Sequence, residues 1–303
     1  MIQSITVINY LGEALELDLM SPEKSGFVVK SVKGIGPSKG VINTTEVSTN
    51  DGSVYNSARK TQRNIVLQLG FLWRDTVEEA RHRTYMYFPV KKQVTLIFKT
   101  DRRQCMTTGY VESNEPDIFS KNSGCQISII CPDPAFYSVD GDSSNSTVFS
   151  GVESVFEFEF ENDGLENAIE FGEIQIHTEN VVTYNGDDEV GIWITIFALG
   201  PATNITIHNS KTREIMKINT SKIEALTGKG IVAQDEITIC TVKGNKSITL
   251  LRDGKTMNIL NCLDKNVDWF RLVKGDNIFA YTAESGASNL QFRIDNDVVY
   301  EGV

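Results

Sequence analysis

Basic side chains are concentrated between Arg59 and Arg103, where eleven lysines and arginines stand against four acidic residues. Such an excess of positive charge favours an acidic partner or an acidic neighbouring subunit, because opposite charges steer and orient association. The alternative is an ordinary set of solvated helix and hairpin faces. The candidates for contact with another subunit are two adjacent pairs: Lys91, Lys92, Arg102 and Arg103.

Two tryptophans are candidates for stacking on a sugar ring. Trp193 and Trp269 lie in strand-like runs of the second half, and rings exposed on a β-sandwich provide a flat apolar platform for a pyranose. The favoured alternative is packing in the core, because Ile192 and Ile194 flank Trp193 and Phe270 follows Trp269.

Patterns for catalysis and metal binding are missing from the sequence. There is no Gly-x-Ser-x-Gly elbow, no complete phosphate-binding loop and no zinc spacing among the histidines. His82 follows Glu78 by four residues on a predicted helix, which indicates a surface pair. The acidic loop 185–189 offers oxygens to a cation, but a solvated loop is favoured. We therefore predict no enzyme activity, no metal and no cofactor, although a glycosidase pair of carboxylates needs only closeness in space.

The cysteines and the N-terminal residues bear on the compartment. Five cysteines form no Cys-x-x-Cys pair, and an odd number is typical of a reducing compartment, so we interpret them as small buried groups. The first residues lack the pattern of a secretory signal, and no window of about 18 residues is apolar throughout. We predict neither export nor membrane insertion.

Strict alternation of apolar and polar residues dominates the chain and predicts strands with one buried face. The clearest run is residues 155–161, in which phenylalanine alternates with glutamate. Similar runs are Arg63–Leu69, Val94–Phe98, Gln126–Ile130, Val190–Phe197, Ile237–Val242, Ser247–Leu251, Ile278–Tyr281 and Leu290–Ile294. Turn residues at 243–246, 252–255 and 274–277 predict hairpins between consecutive strands, and hence a sandwich or jelly roll in the second half.

One helix interrupts this β pattern. Asp75 followed by Glu78 reads as a helix cap, and the helix is predicted over residues 76–87 before Pro89 ends it. Its buried face would carry Val77, Ala80, Thr84 and Phe88. The first half is therefore predicted to be α+β.

Length and charge indicate two domains. The chain has 303 residues and a net charge of −11, of which residues 1–138 carry +2 and the remainder −13. This acidity argues against nucleic-acid binding as the main activity. We place the domains at residues 1–138 and 151–303, with a linker over residues 139–150 that contains small and acidic residues.

Short motifs in both halves carry a resemblance to a known family. A strand over residues 125–131 ends on Asp133-Pro134-Ala135-Phe136-Tyr137, preceded by the order of strand, capped helix and strand described above. This order resembles the distal tail (Dit) proteins of long-tailed, non-contractile bacteriophages. The segment 269–277 and the last four residues, 300–303, are similar to the C-terminal pattern of the same family.

The resemblance implies a mainly β protein with an N-terminal split β-barrel carrying one helix and a C-terminal galectin-like jelly-roll sandwich. It implies a structural role in the virion tail, as a hexameric ring that joins the tail tube to the tail-tip protein of the baseplate. DNA would pass through the central channel without specific binding, and receptor-binding proteins would attach at the periphery. Such a protein is assembled in the cytoplasm of the bacterial host. The basic residues would then contact neighbouring subunits or the tube. The alternative function is a carbohydrate-binding tail protein that contacts the host surface through its C-terminal domain.

Overall fold

The structure, a computed structural model, describes residues 1–46, 48, 51–72, 76–117, 123–139, 144–153, 173–176 and 178–303. It divides into two units, one formed by Met1–Ser143 with Val299–Val303 and the other by Ser144–Val298. Both consist mainly of antiparallel β-strands, so the predicted mainly β class is confirmed. Residues 155–161, the clearest alternating run in the sequence, lie outside the described residues.

The first unit is built on one large sheet and one helix. Its elements in chain order are β1 (Ile2–Ile8), β2 (Ala14–Asp18), β3 (Phe27–Lys33), β4 (Gly40–Glu46), β5 (Ser53–Lys60), β6 (Arg63–Phe71), α1 (Val77–Tyr87), β7 (Gln93–Thr100), β8 (Gln104–Asp117), β9 (Gly124–Cys131) and β10 (Phe136–Ser138). The main path of the sheet runs β2-β1-β7-β8-β9-β6-β3, with every pairing antiparallel. Closure of this sheet into a split barrel stays a prediction.

Alternation places one face of each central strand in the core. In β6, Ile65, Leu67 and Leu69 are buried, and Leu96 and Phe98 follow the same rule in β7. Burying a side chain of this size contributes about 1.5–3 kcal/mol. These strands, and the six others predicted from alternation within the described residues, are confirmed.

Helix α1 confirms the predicted helix with its cap moved by one residue. Thr76, not Asp75, is the N-cap: its side chain accepts a hydrogen bond from the Glu79 backbone N–H, and the Glu79 side chain accepts one from the Thr76 N–H. This reciprocal pair satisfies two donors that the first turn leaves free. Ala80, Thr84 and Phe88 are buried, as predicted.

The second unit contains two main antiparallel sheets and one small two-stranded sheet. Its elements are β11 (Ser144–Val148), β12 (Ser150–Glu153), β13 (Glu173–Ile176), β14 (Glu179–Tyr184), β15 (Val190–Ala198), β16 (Ile205–Asn209), β17 (Glu214–Ile218), α2 (Thr220–Thr227), β18 (Glu236–Cys240), β19 (Ser247–Arg252), β20 (Lys255–Asn258), β21 (Arg271–Leu272), β22 (Gly275–Thr282) and β23 (Leu290–Asp297). One sheet has the order β11-β23-β15-β18-β19-β20, and the other β14-β22-β16-β17. Aromatic rings from both meet in the core, where Tyr281 stacks on Phe292 at 3.8 Å between centroids. The galectin-like jelly-roll connectivity stays a prediction.

Two of the three predicted hairpins are present. Strands β18 and β19 pair across residues 243–246, and β19 and β20 pair across Asp253-Gly254, both of which have positive φ angles. The prediction at residues 274–277 is wrong. Gly275 has φ 89° but opens β22, which pairs with β14 and β16, whereas β21 pairs with β15. The residues 274–277 therefore lead into strand β22 and do not connect two strands that pair with each other.

The last five residues return to the first unit as β24 (Val299–Tyr300). This strand pairs with β10, with Tyr137 opposite Val299 and Phe136 opposite Tyr300. The second unit is therefore an insertion between two paired strands of the first. Three cations of the first unit hold the returning segment, and we call this arrangement the clasp: Lys60, Arg63 and Arg103 with residues 299–303.

Arg63 is the centre of the clasp and is only 3% exposed. Its guanidinium donates hydrogen bonds to the carbonyls of Pro134 (2.8 Å), Glu301 (2.8 Å), Gly34 (2.7 Å) and Gly36, and lies 4.3 Å from the Phe136 ring centroid. Burial lowers the pKa of this guanidinium, but arginine stays charged at neutral pH.

The other two cations of the clasp bind the returning segment from outside. Lys60 Nζ lies 2.7 Å from Glu301 Oε1, and Arg103 donates to the Gly302 carbonyl at 3.0 Å while covering the Tyr300 ring. The Val303 N–H donates to the Ile35 carbonyl at 3.0 Å. The glycine-rich loop 34–36 thus supplies carbonyls to the clasp.

Candidate functional site

The four candidate basic residues lie at two separate places. Lys91 and Lys92 immediately precede β7, whereas Arg102 and Arg103 follow it. Eight strand residues at about 3.3 Å each separate the pairs by about 26 Å. The four side chains therefore do not form one patch. Arg103 is engaged in the clasp, while Lys91, Lys92 and Arg102 are exposed.

Strands β4 and β5 form a two-stranded sheet of their own, which we call the arm. They pair over their whole length, and in both strands nearly every residue is exposed. Ile42 is 66% exposed and Tyr55 63%, and Val54 is exposed as well. A hairpin without a hydrophobic face to bury is only marginally stable alone in water. We therefore expect the arm to pack against another molecule.

A second exposed apolar surface surrounds the turn between β1 and β2. We call it the turn patch; its apolar members are Tyr10, Leu11, Met86, Val90 and Tyr110, and all are exposed. The amide of Asn9 joins the turn to the end of α1 by donating to the Met86 carbonyl at 3.2 Å. Lys92 Nζ lies 5.2 Å from the Tyr10 ring centroid. Lys91 and Lys92 therefore border an apolar surface.

Trp193 lies on the outer face of its sheet. Along β15 the residues alternate between buried and half-buried, and Trp193 falls on the half-buried face between the buried Ile192 and Ile194. The expectation that Trp193 packs in the core is wrong, because adjacent residues of a strand point to opposite faces. Its cross-strand neighbours are Cys240 and Asp295.

Trp269 lines a groove of about 350 Å³ in the second unit. Lys246 lies 5.0 Å from its ring centroid, and Arg271 and Glu189 form an ion pair across the groove at 3.3 Å. The charged and aromatic residues of the wall are Glu189, Glu214, Lys246, Asp268, Trp269 and Arg271. A half-buried ring beside carboxylates and cations offers both stacking and hydrogen bonds to a polyhydroxylated ligand.

The remaining candidates for chemistry are occupied by structural contacts. His82 lies 3.9 Å from Glu78 on the surface of α1, as predicted. In the acidic loop, Asp187 pairs with Lys274 at 3.4 Å and Glu189 with Arg271. Within the described residues, no group of three or more His, Cys, Asp or Glu side chains is placed to hold a metal ion. The histidine at 177 and the acidic residues 140 and 142 lie outside the described residues.

All five cysteines are buried and in the thiol form, which confirms their interpretation as small core groups. Burial raises the pKa of the Cys125 thiol to about 12 and also raises the pKa values of Cys131 and Cys262. These thiols stay protonated at neutral pH and are poor nucleophiles. Among the helices that the structure describes, none is long and apolar enough to cross a membrane.

The sheet order, the inserted second unit and its return through the clasp define a mainly β fold. A solved structure with a similar fold is the Dit protein of phage SPP1, described as a paradigm of the hub adsorption apparatus in phages that infect Gram-positive bacteria. The two share 13% identity with a TM-score of 0.63, over 97% of this chain and 98% of that chain. This likeness confirms, for the fold, the resemblance to the distal tail family.

Two baseplate structures of phage p2 show weaker likeness. The activated baseplate with Ca has a TM-score of 0.45 and 14% identity over the full length of both chains. The activated baseplate with Sr has a TM-score of 0.42 and 13% identity over 99% of both chains. No protein-family model matches the chain, and no curated protein sequence matches it.

Three features of the first unit, namely the arm, the turn patch and the clasp, were not predicted from the sequence. The arm and the turn patch leave no alternating pattern of apolar and polar residues in the sequence, because neither of them buries a face. The clasp joins residues more than 200 positions apart, for example Arg63 and Glu301. Its one local signal is the presence of Gly34 and Gly36, a composition typical of a loop.

Proposed function

We propose that the chain is a structural hub protein of a phage tail, which assembles as a ring of six copies and joins the tail tube to the tail-tip protein. The observation that carries the proposal is the arm, an exposed hairpin on a chain whose fold matches a phage hub protein over nearly its whole length. A ring needs a heterologous interface, in which one surface of each copy meets a different surface of the next. An arm projecting from each copy supplies one side of such an interface.

The remaining parts of the proposal rest on the resemblance to the distal tail family. The first unit forms the ring and contacts the tube and the tip protein, and receptor-binding proteins attach to the acidic second unit. The channel passes DNA without specific contacts, consistent with a chain of net charge −11. The role is structural and not catalytic, and the protein resides in the virion tail after assembly in the host cytoplasm.

The ring is tested by measuring the mass of the full chain in solution. Six copies of 33.7 kDa give about 200 kDa, and mass photometry over a range of concentrations should resolve this species from the monomer. Negative-stain microscopy of the same sample should show six-fold rings with a central hole. A monomer at every soluble concentration would contradict the proposal.

Charges placed on the arm are expected to weaken the ring. In the double variant Ile42→Glu/Tyr55→Glu, two carboxylates enter an apolar contact, so we expect assembly at least about tenfold weaker by mass photometry. The matched control is Ile215→Glu/Leu226→Glu, which likewise places two carboxylates at exposed apolar residues, here in the second unit. If the arm variant and the control assemble alike, the arm is not the contact.

A second candidate function is saccharide binding in the groove of the second unit, favoured by the placement of Trp269. Lys246 covers one face of the ring but is exposed and flexible, so a sugar can displace it. The carboxylates of Glu189 and Glu214 and the guanidinium of Arg271 would then hydrogen-bond hydroxyl groups.

Trp269→Ala is expected to weaken saccharide binding strongly, whereas Trp193→Ala should leave it unchanged. Loss of an aromatic contact is worth about 1 kcal/mol or more, so we expect about tenfold weaker binding or none, measured by calorimetric titration with soluble bacterial cell-wall polysaccharides. Equal effects of the two variants would contradict a site in the groove. Wild-type protein that binds no wall polysaccharide would remove this function altogether.

A further inference from the structure

We propose that the turn patch is the surface on which the arm of a neighbouring copy docks. This inference rests on the proposed ring, and it names the two surfaces that meet. Each surface is exposed in the chain as it stands: Ile42 and Tyr55 on the arm and Leu11 on the turn patch are all more than half exposed. The arm therefore does not cover the patch of its own chain.

The charges of the two surfaces are complementary. The part of the arm farthest from the body carries Glu46 and Asp51, both exposed, and its described residues there include no cation. Lys91 and Lys92 border the turn patch, and the Lys92 ammonium lies over the Tyr10 ring. Glu13, the acidic residue nearest the turn, accepts a hydrogen bond from Asn9 at 2.8 Å. An apolar contact flanked by opposite charges fixes both affinity and orientation.

The positions of the two surfaces fit a head-to-tail contact. The base of the arm is tied through Lys60 and Glu301 to the segment that Arg103 holds, next to the start of β8. The turn patch lies at the opposite end of β7, beside Lys92, about 26 Å away by strand length. Each copy therefore offers an arm at one end and a patch at the other, which is the arrangement that closes a ring when the contact repeats by rotation.

The occupant of the patch is accordingly a second copy of this chain. The same chain supplies exposed apolar residues on the arm, with acidic residues at its turn end, and in a ring every arm and every patch are used once. If a different tail protein occupied the patch, the arm of each copy would stay exposed. The test must therefore distinguish a second copy from a different tail protein.

The test is a cysteine cross-link in the full chain. The five native cysteines are buried, so Leu11→Cys/Tyr55→Cys introduces two exposed thiols, one on each surface. Under mild oxidation we expect a ladder of covalent oligomers up to six copies on a non-reducing gel. The matched control is Met20→Cys/Tyr55→Cys, because Met20 is 76% exposed and lies beyond the other end of β2 from Leu11. The control should give no ladder above dimers.

A charge variant gives an independent reading. We expect Leu11→Glu to weaken assembly at least about tenfold by mass photometry, whereas Met20→Glu changes it less than about twofold. If rings form but Leu11→Cys/Tyr55→Cys gives no ladder and Leu11→Glu assembles like Met20→Glu, the docking surface is wrong and the ring stands. If wild-type protein forms no ring at any soluble concentration, the ring and the docking surface both fail.

Discussion

Replacing Arg63 with methionine is expected to lower the free energy of unfolding of the first unit by about 4 kcal/mol. The guanidinium makes four hydrogen bonds to carbonyls, and hydrogen bonds from a charged donor are each worth about 1.5–3 kcal/mol, though not additively. Methionine fills a similar volume but donates nothing, so buried carbonyls lose their partner. For a unit of this size the loss corresponds to a melting temperature lower by about 10 °C.

Calorimetry of the full chain, with hydrogen exchange to assign each transition to a unit, measures this effect. Arg59→Met is the matched control, because Arg59 is an exposed arginine on the arm four residues earlier, and its loss should leave the transition within about 1 °C. Arg63→Lys keeps the charge but lacks the planar fork, so it should fall between the two. If the Arg63→Met variant and the wild type have the same melting temperature, the clasp does not stabilise the first unit.

Ending the chain after Val298 is expected to destabilise the first unit by a similar amount. The truncation removes β24 from its pairing with β10, the partner of Lys60 and the carbonyl that Arg103 binds. It also exposes the Arg63 guanidinium, whose burial is favourable only while its carbonyl partners are present. We expect the melting transition of the first unit to fall by about 10 °C while that of the second unit stays in place.

The truncation and Arg63→Met should act on the same interactions. In the double variant the loss is expected to be smaller than the sum of the two single losses by about 1 kcal/mol or more, as found for residues in one hydrogen-bonded network. Additive losses in this double-mutant cycle would mean that Arg63 and the returning segment stabilise the unit independently. A lower transition of the second unit would place the effect of the truncation outside the clasp.

The strands and the helix could be predicted because each leaves a local periodic signal. A strand with one buried face alternates, as in β6 and β15, and a capped helix shows its Thr and Glu. Register, sheet order and the clasp depend on partners far along the chain, and a residue such as Arg63 looks like any surface arginine until those partners are known.

Some of the placements seen in the structure had a usable signal in the sequence. The strand predicted over Val94–Phe98 already separates Lys92 from Arg102 by most of a strand length, so the two basic pairs could have been assigned to different ends of the unit. The period of two likewise puts Trp193 on the face opposite Ile192. The arm left no such signal, because a hairpin that buries no face within its own chain has no reason to alternate.

The insertion of the second unit between β10 and β24 has a consequence for chain entropy. Tyr137 and Val299 face each other in the pair, so the first unit can complete its sheet only by closing a loop of about 160 residues. Each doubling of loop length costs about 0.6 kcal/mol, and a flexible loop of that length costs about 2 kcal/mol more to close than a ten-residue linker. A folded second unit fixes the distance between its own two ends and lowers that cost in advance. Folding of the second unit therefore assists folding of the first unit.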